Sequence, residues 1–449
     1  MTLARFFRST VTAATLSLLF LVVYGGCNVF TANRTDVGTC ALEWERFIPF
    51  VPLMIIPYLS IDAFFFAAPF LCATDDERRR LAARITMAVL VGGVCFLLFP
   101  LRFAFPRPAV HGPLGVVFDW FRAKDAPFNL APSLHIALRT ILVGVYVRHS
   151  RGLLRLASHV WFSLVGFSTV LVWQHHLLDV ATGFMLAGCC LFVFPEPSAG
   201  PPNLLPNRRV GAFYAVGCAG LVALGALLRP WGALLLWPAM SLGILSAANC
   251  HLGVGIFKKR DGCLPLTTRL VLGPVLVGQW LSLRYYLRQC RPWDAVAPNV
   301  WIGRVLSDRE AAAAVAAGVT AVLDLTGEFG EARPFKAIHY RNLAVLDLTA
   351  PCLRLLHEMS DFIATECAHG IVYVHCKIGY SRSAAAIGAW LIASGQSATA
   401  DDAIVRLRRL RPTIVVRSEV QSALAQFASE ISSVDLPKPH SSAAIVAEQ

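Results

Sequence analysis

Long apolar blocks dominate the first 250 residues of this chain, and shorter apolar runs separated by polar turns fill the remainder. A block of about 20 apolar residues is long enough to cross a bilayer as a helix. The pattern predicts about eight spans, near residues 10–28, 48–72, 83–101, 132–148, 158–175, 178–195, 209–228 and 231–249. We therefore expect a multi-span α-helical membrane domain over residues 1–250.

Residues 295–432 show a different pattern, in which strand-type runs alternate with helix-type periods. Strands are expected at 318–325 and 340–348, and helices at 353–368, 400–410 and 419–431. This alternation predicts a C-terminal α/β domain with a mostly parallel sheet. Residues 433–449 are expected to form a flexible tail.

Two segments are expected to connect these parts. The proline-rich stretch Pro195–Pro206 should be a connector after the sixth span. Residues 251–294 are basic and only partly apolar, because Arg269, Pro274 and Gln279 interrupt the apolar run. We favour an interfacial or re-entrant connector here over a ninth span, which would place the C-terminal domain on the opposite side of the membrane.

Composition supports membrane residence, since 56% of the residues are hydrophobic and the net charge is +12. Basic residues cluster in loops after the second, fourth, sixth and eighth blocks, which all fall on one side of the membrane. That side should be cytoplasmic. Membrane topology therefore explains the charge better than nucleic-acid binding does, and a lipid bilayer is the expected partner. The scattered cysteines do not form a disulfide framework.

One stretch carries a clear chemical pattern. In Val372–Ser383 an apolar run ends at Cys376, a short loop follows, and then a helix-type run begins. Backbone N–H groups of such a loop and the helix N-terminus bind phosphate and lower the pKa of a thiol. Cys376 would attack phosphorus, Arg382 would hold phosphate oxygens in its planar fork, and Ser383 would stabilise the leaving thiolate.

The remaining loop residues fit the same role. Gly379 permits a backbone conformation that a side chain would penalise. Phosphate binding is assigned to Lys377, Gly379 and Ser381. The alternative is a buried cysteine at a strand end with an unrelated arginine nearby, but the combined spacing argues against it.

This stretch resembles the signature loop of the cysteine-dependent dual-specificity and tyrosine phosphatases, and the resemblance covers about residues 295–430. Lys377 after the cysteine is similar to the loops of lipid phosphatases, although Tyr380 stands where those loops often carry a base. The resemblance implies a reaction without metal or other cofactor and a general acid at Asp347. Asp324 is the rival acid, and Asp347 would otherwise cap a turn. His375 is expected to support the loop.

Three polar motifs of the membrane part lie at span ends on the predicted external side: Arg102–Pro108, Pro132–His135 and Ser168–Asp179. His175 would attack phosphorus, Asp179 one turn later would orient its ring, and His135 would protonate the leaving oxygen. The expected phosphate ligands are Arg107, Ser133 and Arg102. The alternative is that these residues anchor the spans among lipid headgroups.

The three motifs resemble the type-2 phosphatidic acid phosphatase superfamily over about residues 85–195. Pro100 and Thr169 stand where that family carries basic residues. Fewer cations suit a phosphodiester better than a dianionic monoester, which favours transfer of a phospho-headgroup between lipids. The fold class is thus a multi-span membrane domain plus an α/β cysteine-phosphatase domain.

The expected function is a bifunctional membrane phosphatase or phosphotransferase of lipid phosphate metabolism, with a phospholipid substrate. Fusions of these two domain types resemble bacterial proteins, so we expect an inner membrane with the cysteine-phosphatase domain in the cytoplasm. One alternative is a protein tyrosine or dual-specificity phosphatase that its spans merely anchor. Another is a sensor that binds phosphorylated ligands without turnover.

Overall fold

The computed structural model describes residues 2–195, 206–228 and 231–434. Among these the chain divides into two compact units. The first lies within Met1–Ala199 with Leu228–Ala233, and the second within Gly200–Leu227 with Leu234–Gln449. The predicted connector at 195–206 and the predicted tail at 433–449 lie almost entirely outside the described residues.

Helices build the described part of the first unit: α1 Leu3–Ala32, α2 Ile55–Leu71, α3 Asp75–Leu98, α4 Pro113–Lys124, α5 Leu134–Arg148, α6 Gly152–Leu171 and α7 Leu177–Val193. The helical character of this region is confirmed. Short α4 was not predicted, because it lies in a loop between apolar blocks and begins at a proline after Gly112.

The helices of the first unit follow from their caps and apolar faces. The Thr74 hydroxyl accepts a hydrogen bond from Glu77 N at 3.2 Å at the start of α3, which satisfies a backbone donor that the helix leaves free. Leu81, Ile85 and Val89 recur every four residues and are almost completely buried. This spacing places them on one face, where they pack into the apolar core of the unit.

The described helices of the second unit are α8 Arg208–Leu227, α9 Leu236–Ala247, α10 Leu266–Val271, α11 Gly273–Tyr286, α12 Asp308–Ala316, α13 Arg333–Lys336, α14 Leu353–Glu366, α15 Ser381–Ala393, α16 Ala400–Leu410 and α17 Ser418–Val434. Helix α9 packs against both α8 and α11. The predicted connector at 251–294 contains α10 and α11, of 6 and 14 residues, both shorter than the roughly 20 residues of a span.

Five described helical stretches are long and apolar enough to cross a membrane: Leu3–Ala32, Pro52–Leu71, Asp75–Leu98, Gly152–Leu171 and Arg208–Leu227. The other three predicted spans correspond to helices α5, α7 and α9, which are shorter, with 15, 17 and 12 residues. Several apolar helices are thus present, while their insertion in a bilayer stays a prediction.

A five-stranded mixed sheet forms the centre of the second unit, with the order β1-β2-β5-β3-β4. Its strands are β1 Trp293–Ala297, β2 Val300–Arg304, β3 Val319–Asp324, β4 His339–Asn342 and β5 Ile371–Cys376. Only β1 and β2 pair in antiparallel fashion. The predicted α/β class is confirmed, and the last residue of the central strand β5 lies at the edge where α/β folds bind ligands.

The strand predicted at 340–348 is too long, because β4 ends at Asn342. The Asn342 side chain donates to the carbonyl oxygens of Asp324 and Thr326 at 2.8 and 3.0 Å and turns the chain out of the ladder. Val345 and Leu346 are both buried although they are neighbours, which a regular strand with one buried face does not allow. Their apolar character reflects core packing of a loop.

Candidate active site

Cys376 is the last residue of β5, and α15 begins five residues later at Ser381. The structure therefore has the predicted order of strand, loop and helix. Gly379 in the loop has φ +73°, and a Cβ at this position would lie 2.6 Å from the carbonyl oxygen of Gly303. Only glycine fits this backbone and this close approach.

The Cys376 thiol is 3% exposed. Burial raises its pKa, but the Arg382 charge, the Ser383 hydroxyl and the backbone N–H groups of Ser383 and Tyr380 together lower the pKa below that of an ordinary thiol. The Ser383 hydroxyl is buried and otherwise unpaired among the described residues. The site thus favours the thiolate, which is the nucleophilic form of cysteine.

Arg382 lies in the first turn of α15 and is held in place by an acidic residue that sequence analysis missed. Its guanidinium donates two hydrogen bonds to Glu328, at 3.1 and 2.6 Å, and one to the Val345 carbonyl oxygen at 3.0 Å. Burial opposes the charge of Arg382, while Glu328, Asp347 and Cys376 raise its pKa. The position of Glu328 in a polar turn after β3 was the only local signal.

Asp347 is the predicted acid that the structure brings to the nucleophile. Its carboxylate accepts hydrogen bonds from Lys377 Nζ at 2.8 Å and from Arg382 Nη2 at 3.3 Å. Burial raises its pKa, but Arg382 and Lys377 outweigh burial and lower it. Asp347 therefore lies within reach of a phosphate bound at the loop.

Asp324, the rival acid, is fully buried and lines no part of the cavity described below. Its carboxylate accepts hydrogen bonds from Thr326 N at 2.8 Å and Tyr340 Oη at 2.7 Å and also contacts the Lys259 ammonium. This pairing gives Asp324 a structural role, and the general-acid role of Asp347 stays a prediction.

His375 precedes the nucleophile and lies beneath it in the core. Its Nε2 is 2.8 Å from Glu331. Burial lowers its pKa, but Glu331 and Asp324 raise it overall. The polar atoms of Asp324, Glu331 and His375 lie within 4.8 Å of one another, a spacing that suits a metal ion, but the Lys259 ammonium already contacts Asp324. The Lys259 ammonium thus supplies positive charge to this acidic group, and the loop-supporting role of His375 stays a prediction.

Arg411 also stabilises the loop between Cys376 and Arg382, and sequence analysis assigned it no role. It donates to Asp294 Oδ2 at 2.6 Å and to the carbonyl oxygen of Ile378 at 3.1 Å. Ser381, predicted to bind phosphate, accepts a hydrogen bond from Arg417 N at 3.3 Å and borders the cavity. These contacts fix the backbone around the anion site.

A cavity of about 610 Å³ opens over Cys376. Residues of the loop from Cys376 to Arg382 line it, and side chains of α8, α9 and α11 form much of its wall, among them Tyr214, Leu242 and Val275. Lys377 Nζ also donates to Gln279 Oε1 of α11 at 2.9 Å. Sequence analysis did not predict that these apolar helices border the site.

Comparison with known families assigns this fold. Residues 301–430 match the family "Dual specificity phosphatase, catalytic domain". This part of the chain is a dual specificity phosphatase domain. As such it is a cysteine-based phosphoric monoester hydrolase domain, and the predicted resemblance over 295–430 is confirmed.

Relatives of the phosphatase domain include the tyrosine-protein phosphatase CDC14 homolog of Schizosaccharomyces pombe, 33% identical over 23% of this chain and 19% of that protein. The phosphatidylglycerophosphatase and protein-tyrosine phosphatase 1 of Mus musculus is 36% identical over 20% of this chain and 47% of that protein. The crystal structure of PTPMT1 is 24% identical over 32% of this chain and 97% of that one, with a TM-score of 0.29. This chain spans less than half the length of these two curated relatives.

The residues predicted for a second site lie outside the phosphatase domain, and the structure brings several of them together in the first unit. His175 Nδ1 lies 3.6 Å from Asp179 Oδ2, and Ser133 N donates to the Asp179 carbonyl oxygen at 3.0 Å. The His135 ring stacks on Tyr58 at 4.1 Å. The second and third motifs therefore meet in space.

The remaining predicted ligands of this second site make other contacts or are exposed. The Ser133 hydroxyl accepts from Ile136 N at 3.3 Å and so caps α5, and Arg102 is exposed. Arg107 is half-buried against Phe103. The small cavity beside His175 measures about 10 Å³, which leaves no room for a phosphate group in this conformation. The resemblance predicted over 85–195 stays a prediction.

Proposed function

We propose that this protein is an integral membrane phosphatase of lipid phosphate metabolism. Its C-terminal domain hydrolyses phosphate monoesters through a cysteinyl-phosphate intermediate. The observation that carries this proposal is the buried Cys376, whose pKa is lowered and which shares one cavity with Arg382 and Asp347. Those three groups supply a nucleophile, an oxyanion ligand and an acid.

The reaction takes two steps. The Cys376 thiolate attacks phosphorus, the bond from phosphorus to the ester oxygen breaks, and protonated Asp347 gives its proton to the departing alcohol. Water then attacks phosphorus while the Asp347 carboxylate accepts a proton from that water. The bond from sulfur to phosphorus breaks, inorganic phosphate leaves, and Ser383 stabilises the thiolate that is released. Arg382 and the loop N–H groups hold the equatorial oxygens in both steps.

A lipid substrate has two kinds of support. Lys377 follows the nucleophile, and the matched mouse relative bears the name of a phosphatidylglycerophosphatase as well as a protein-tyrosine phosphatase. In addition, five described helices are long and apolar enough to cross a membrane. We propose that these helices insert in a bacterial inner membrane and that the phosphatase domain faces the cytoplasm, where reducing conditions preserve the thiolate.

The test is phosphate release by the full chain in lipid vesicles, offered phosphatidylglycerophosphate, phosphoinositides and a phosphotyrosine peptide. The proposal is supported if Cys376→Ser abolishes release from lipid and Cys367→Ser, at a half-buried position just after α14, leaves it unchanged. Release from peptide alone would replace it with the anchored protein phosphatase. Absence of release from every substrate, by folded protein, would favour the sensor.

A second candidate activity belongs to the first unit. Two buried side-chain nitrogens, Arg107 Nε and His135 Nε2, have no hydrogen-bond partner within the part of the chain that the structure describes, and His175 Nδ1 has the 3.6 Å contact with Asp179 but no hydrogen bond there. Unpaired buried donors and acceptors are costly and mark functional sites. We propose that this group processes lipid phosphate, with His175 as the nucleophile and Asp179 orienting its ring, once the cavity opens.

This second activity is tested in a Cys376→Ser background, which silences the phosphatase domain. Labelled phosphatidic acid reports hydrolysis, and labelled phosphatidylinositol with ceramide as acceptor reports headgroup transfer. The site is supported if His175→Ala removes the activity and His159→Ala, on the exposed face of α6, retains it. Efficient hydrolysis of the monoester without any transfer would remove the transferase proposal, and silence in both assays would remove the second activity.

A further inference from the structure

The cavity over Cys376 is much larger than a phosphate group requires. At about 610 Å³ it falls within the range of roughly 300–1,000 Å³ that holds a ligand of drug size. Its extra space lies against three helices outside the phosphatase fold, α8, α9 and α11. The cavity therefore has room for a large part of the molecule that carries the phosphate.

The lining of this cavity combines two kinds of chemistry. Lys377, Arg382 and Arg417 line it together with the nucleophile and contribute positive charge. Pro238, Leu242 and other apolar side chains of the three helices line it as well. A ligand that matches this lining has an anionic phosphate monoester joined to an apolar chain.

The outer faces of the same helices are apolar as well. Phe213 and Val216 on α8 are 78% and 72% exposed, and α8 is long and apolar enough to cross a membrane. On α11, Trp280 and Tyr285 are exposed, and the Arg284 guanidinium lies 5.2 Å from the Trp280 ring. Exposed aromatic residues beside basic ones are typical of segments at the surface of a bilayer.

We propose that helices α8, α9 and α11 form an acyl-chain site of the phosphatase, which binds the apolar chain of a phosphomonoester lipid while its headgroup reaches Cys376. This inference rests on the proposed phosphatase function and adds the residues that select a lipid. The hydrogen bond from Lys377 to Gln279 connects the phosphate loop to α11, one of the helices of the acyl-chain site. Such a lipid keeps part of its apolar chain in the bilayer while its headgroup reaches Cys376.

Gly278 offers a sharp test. It lines the cavity on α11, and a Cβ placed there would meet no atom within 4 Å. The Cβ position is open, so a large side chain has a way into the cavity from α11, at a residue that the reaction itself does not use. Gly220 on α8 is equally open but does not line the cavity, so Gly220→Trp is the matched control.

The experiment compares the wild type, Gly278→Trp and Gly220→Trp as full chains in mixed micelles. Three lipids are compared first: phosphatidic acid, phosphatidylglycerophosphate and phosphatidylinositol 5-phosphate. The one that the wild type hydrolyses fastest is the lipid probe, and it is offered in two forms, with butanoyl chains and with oleoyl chains. The small soluble probe is p-nitrophenyl phosphate. We expect Gly278→Trp to lower kcat/KM for the oleoyl lipid by at least about tenfold, because several buried methylene contacts are lost. The other two substrates and Gly220→Trp should stay within about threefold of the wild type.

Each contrary outcome has a distinct meaning. Inactivity of the wild type on every lipid and on p-nitrophenyl phosphate would remove the proposed function itself. Activity on that probe with an unchanged oleoyl rate in Gly278→Trp would overturn the acyl-chain site alone. An equal loss on both probes would mean that the new side chain acts on the catalytic loop, and would also overturn the site. Faster hydrolysis of a phosphotyrosine peptide than of every lipid would assign the cavity to peptide side chains.

Discussion

The Lys377 ammonium donates a 2.8 Å hydrogen bond to Asp347 Oδ2, so the residue after the nucleophile holds the proposed general acid. This contact and Arg382 together lower the pKa of Asp347, against the effect of burial, which raises it. The free site therefore holds the acid as a carboxylate. A phosphate dianion attracts Lys377 and Arg382 and adds negative charge beside Asp347. Substrate binding is then expected to raise the pKa of Asp347, so that its carboxyl group becomes protonated.

Lys377→Met tests this linkage. Activity that requires protonated Asp347 falls as pH rises through the pKa of that carboxyl group. Because loss of the ammonium raises the pKa, the alkaline limb of the profile of kcat against pH should move to higher pH, while the maximum of kcat/KM falls through weaker phosphate binding. Exposed Lys336→Met is the control. A lower maximum with an unmoved alkaline limb would show that Lys377 binds phosphate without tuning the acid.

Asp347→Asn should reveal the acid by its dependence on the leaving group. General acid catalysis contributes roughly 10²- to 10⁴-fold, and an alkoxide needs the proton far more than a nitrophenolate does. We expect a loss in this range for an alkyl phosphate and a much smaller loss for p-nitrophenyl phosphate, measured as kcat. Exposed Asp361→Asn on α14 should leave both rates unchanged. Equal losses on the two substrates would assign Asp347 to binding or folding.

Much of this site could be predicted because its residues are close in the chain. Cys376, Gly379 and Arg382 lie within one strand, loop and helix start, and each has a local signal. Glu328 is 54 residues from its partner Arg382, and Gln279 is 98 residues from Lys377. Such contacts form only when the sheet and helices pack, so no local pattern indicates them.

The fold shows the same limit. Apolar block length predicted where helices run, since burial or membrane insertion requires that length. Apolar content alone could not separate the end of strand β4 from the buried loop that contains Val345 and Leu346, because both have the same hydrophobic pattern. It also gave no sign that α8 and α9 belong with the phosphatase domain, since these two helices are as apolar as helices of the first unit such as α1.

Ser383→Ala isolates one of the groups that lower the thiol pKa. Burial raises the pKa of Cys376, and the Ser383 hydroxyl is one of the contacts that reverse this effect. Without the hydroxyl the pKa rises, so the pH midpoint of Cys376 alkylation by iodoacetamide should move upward, followed on the Cys376 peptide by mass spectrometry. Because a hydrogen bond to a charged group is worth about 1.5–3 kcal/mol, turnover should fall roughly 10- to 100-fold.

The control for this change is Ser394→Ala, at an exposed position after the end of α15. It should alter neither the alkylation midpoint nor turnover. An unchanged midpoint in Ser383→Ala would mean that the backbone N–H groups and Arg382 hold the thiolate without help from this hydroxyl.

Glu328→Gln tests whether the acid positions Arg382. The pair is almost completely buried and shares two hydrogen bonds, at 3.1 and 2.6 Å. Glutamine keeps the shape of the side chain but offers one acceptor in place of two and carries no charge. The guanidinium fork keeps its contacts with the Val345 carbonyl oxygen and Asp347 but is oriented less firmly, so it holds the equatorial oxygens less well as the transition state forms. We expect kcat to fall about 10- to 100-fold with a smaller change in KM, which is the signature of an interaction made mainly in the transition state.

The same substitution should lower the free energy of unfolding by about 1–3 kcal/mol, because a buried charge loses a partner. Glu358→Gln is the matched control, since Glu358 pairs with Arg354 and Arg341 at the surface and such pairs contribute about 0–1 kcal/mol. A stability loss without a change in kcat would make Glu328 a folding residue only. A rise in KM with kcat intact would show that it orients Arg382 for ground-state binding, and the role in the transition state would then rest on Arg382 and the loop N–H groups alone.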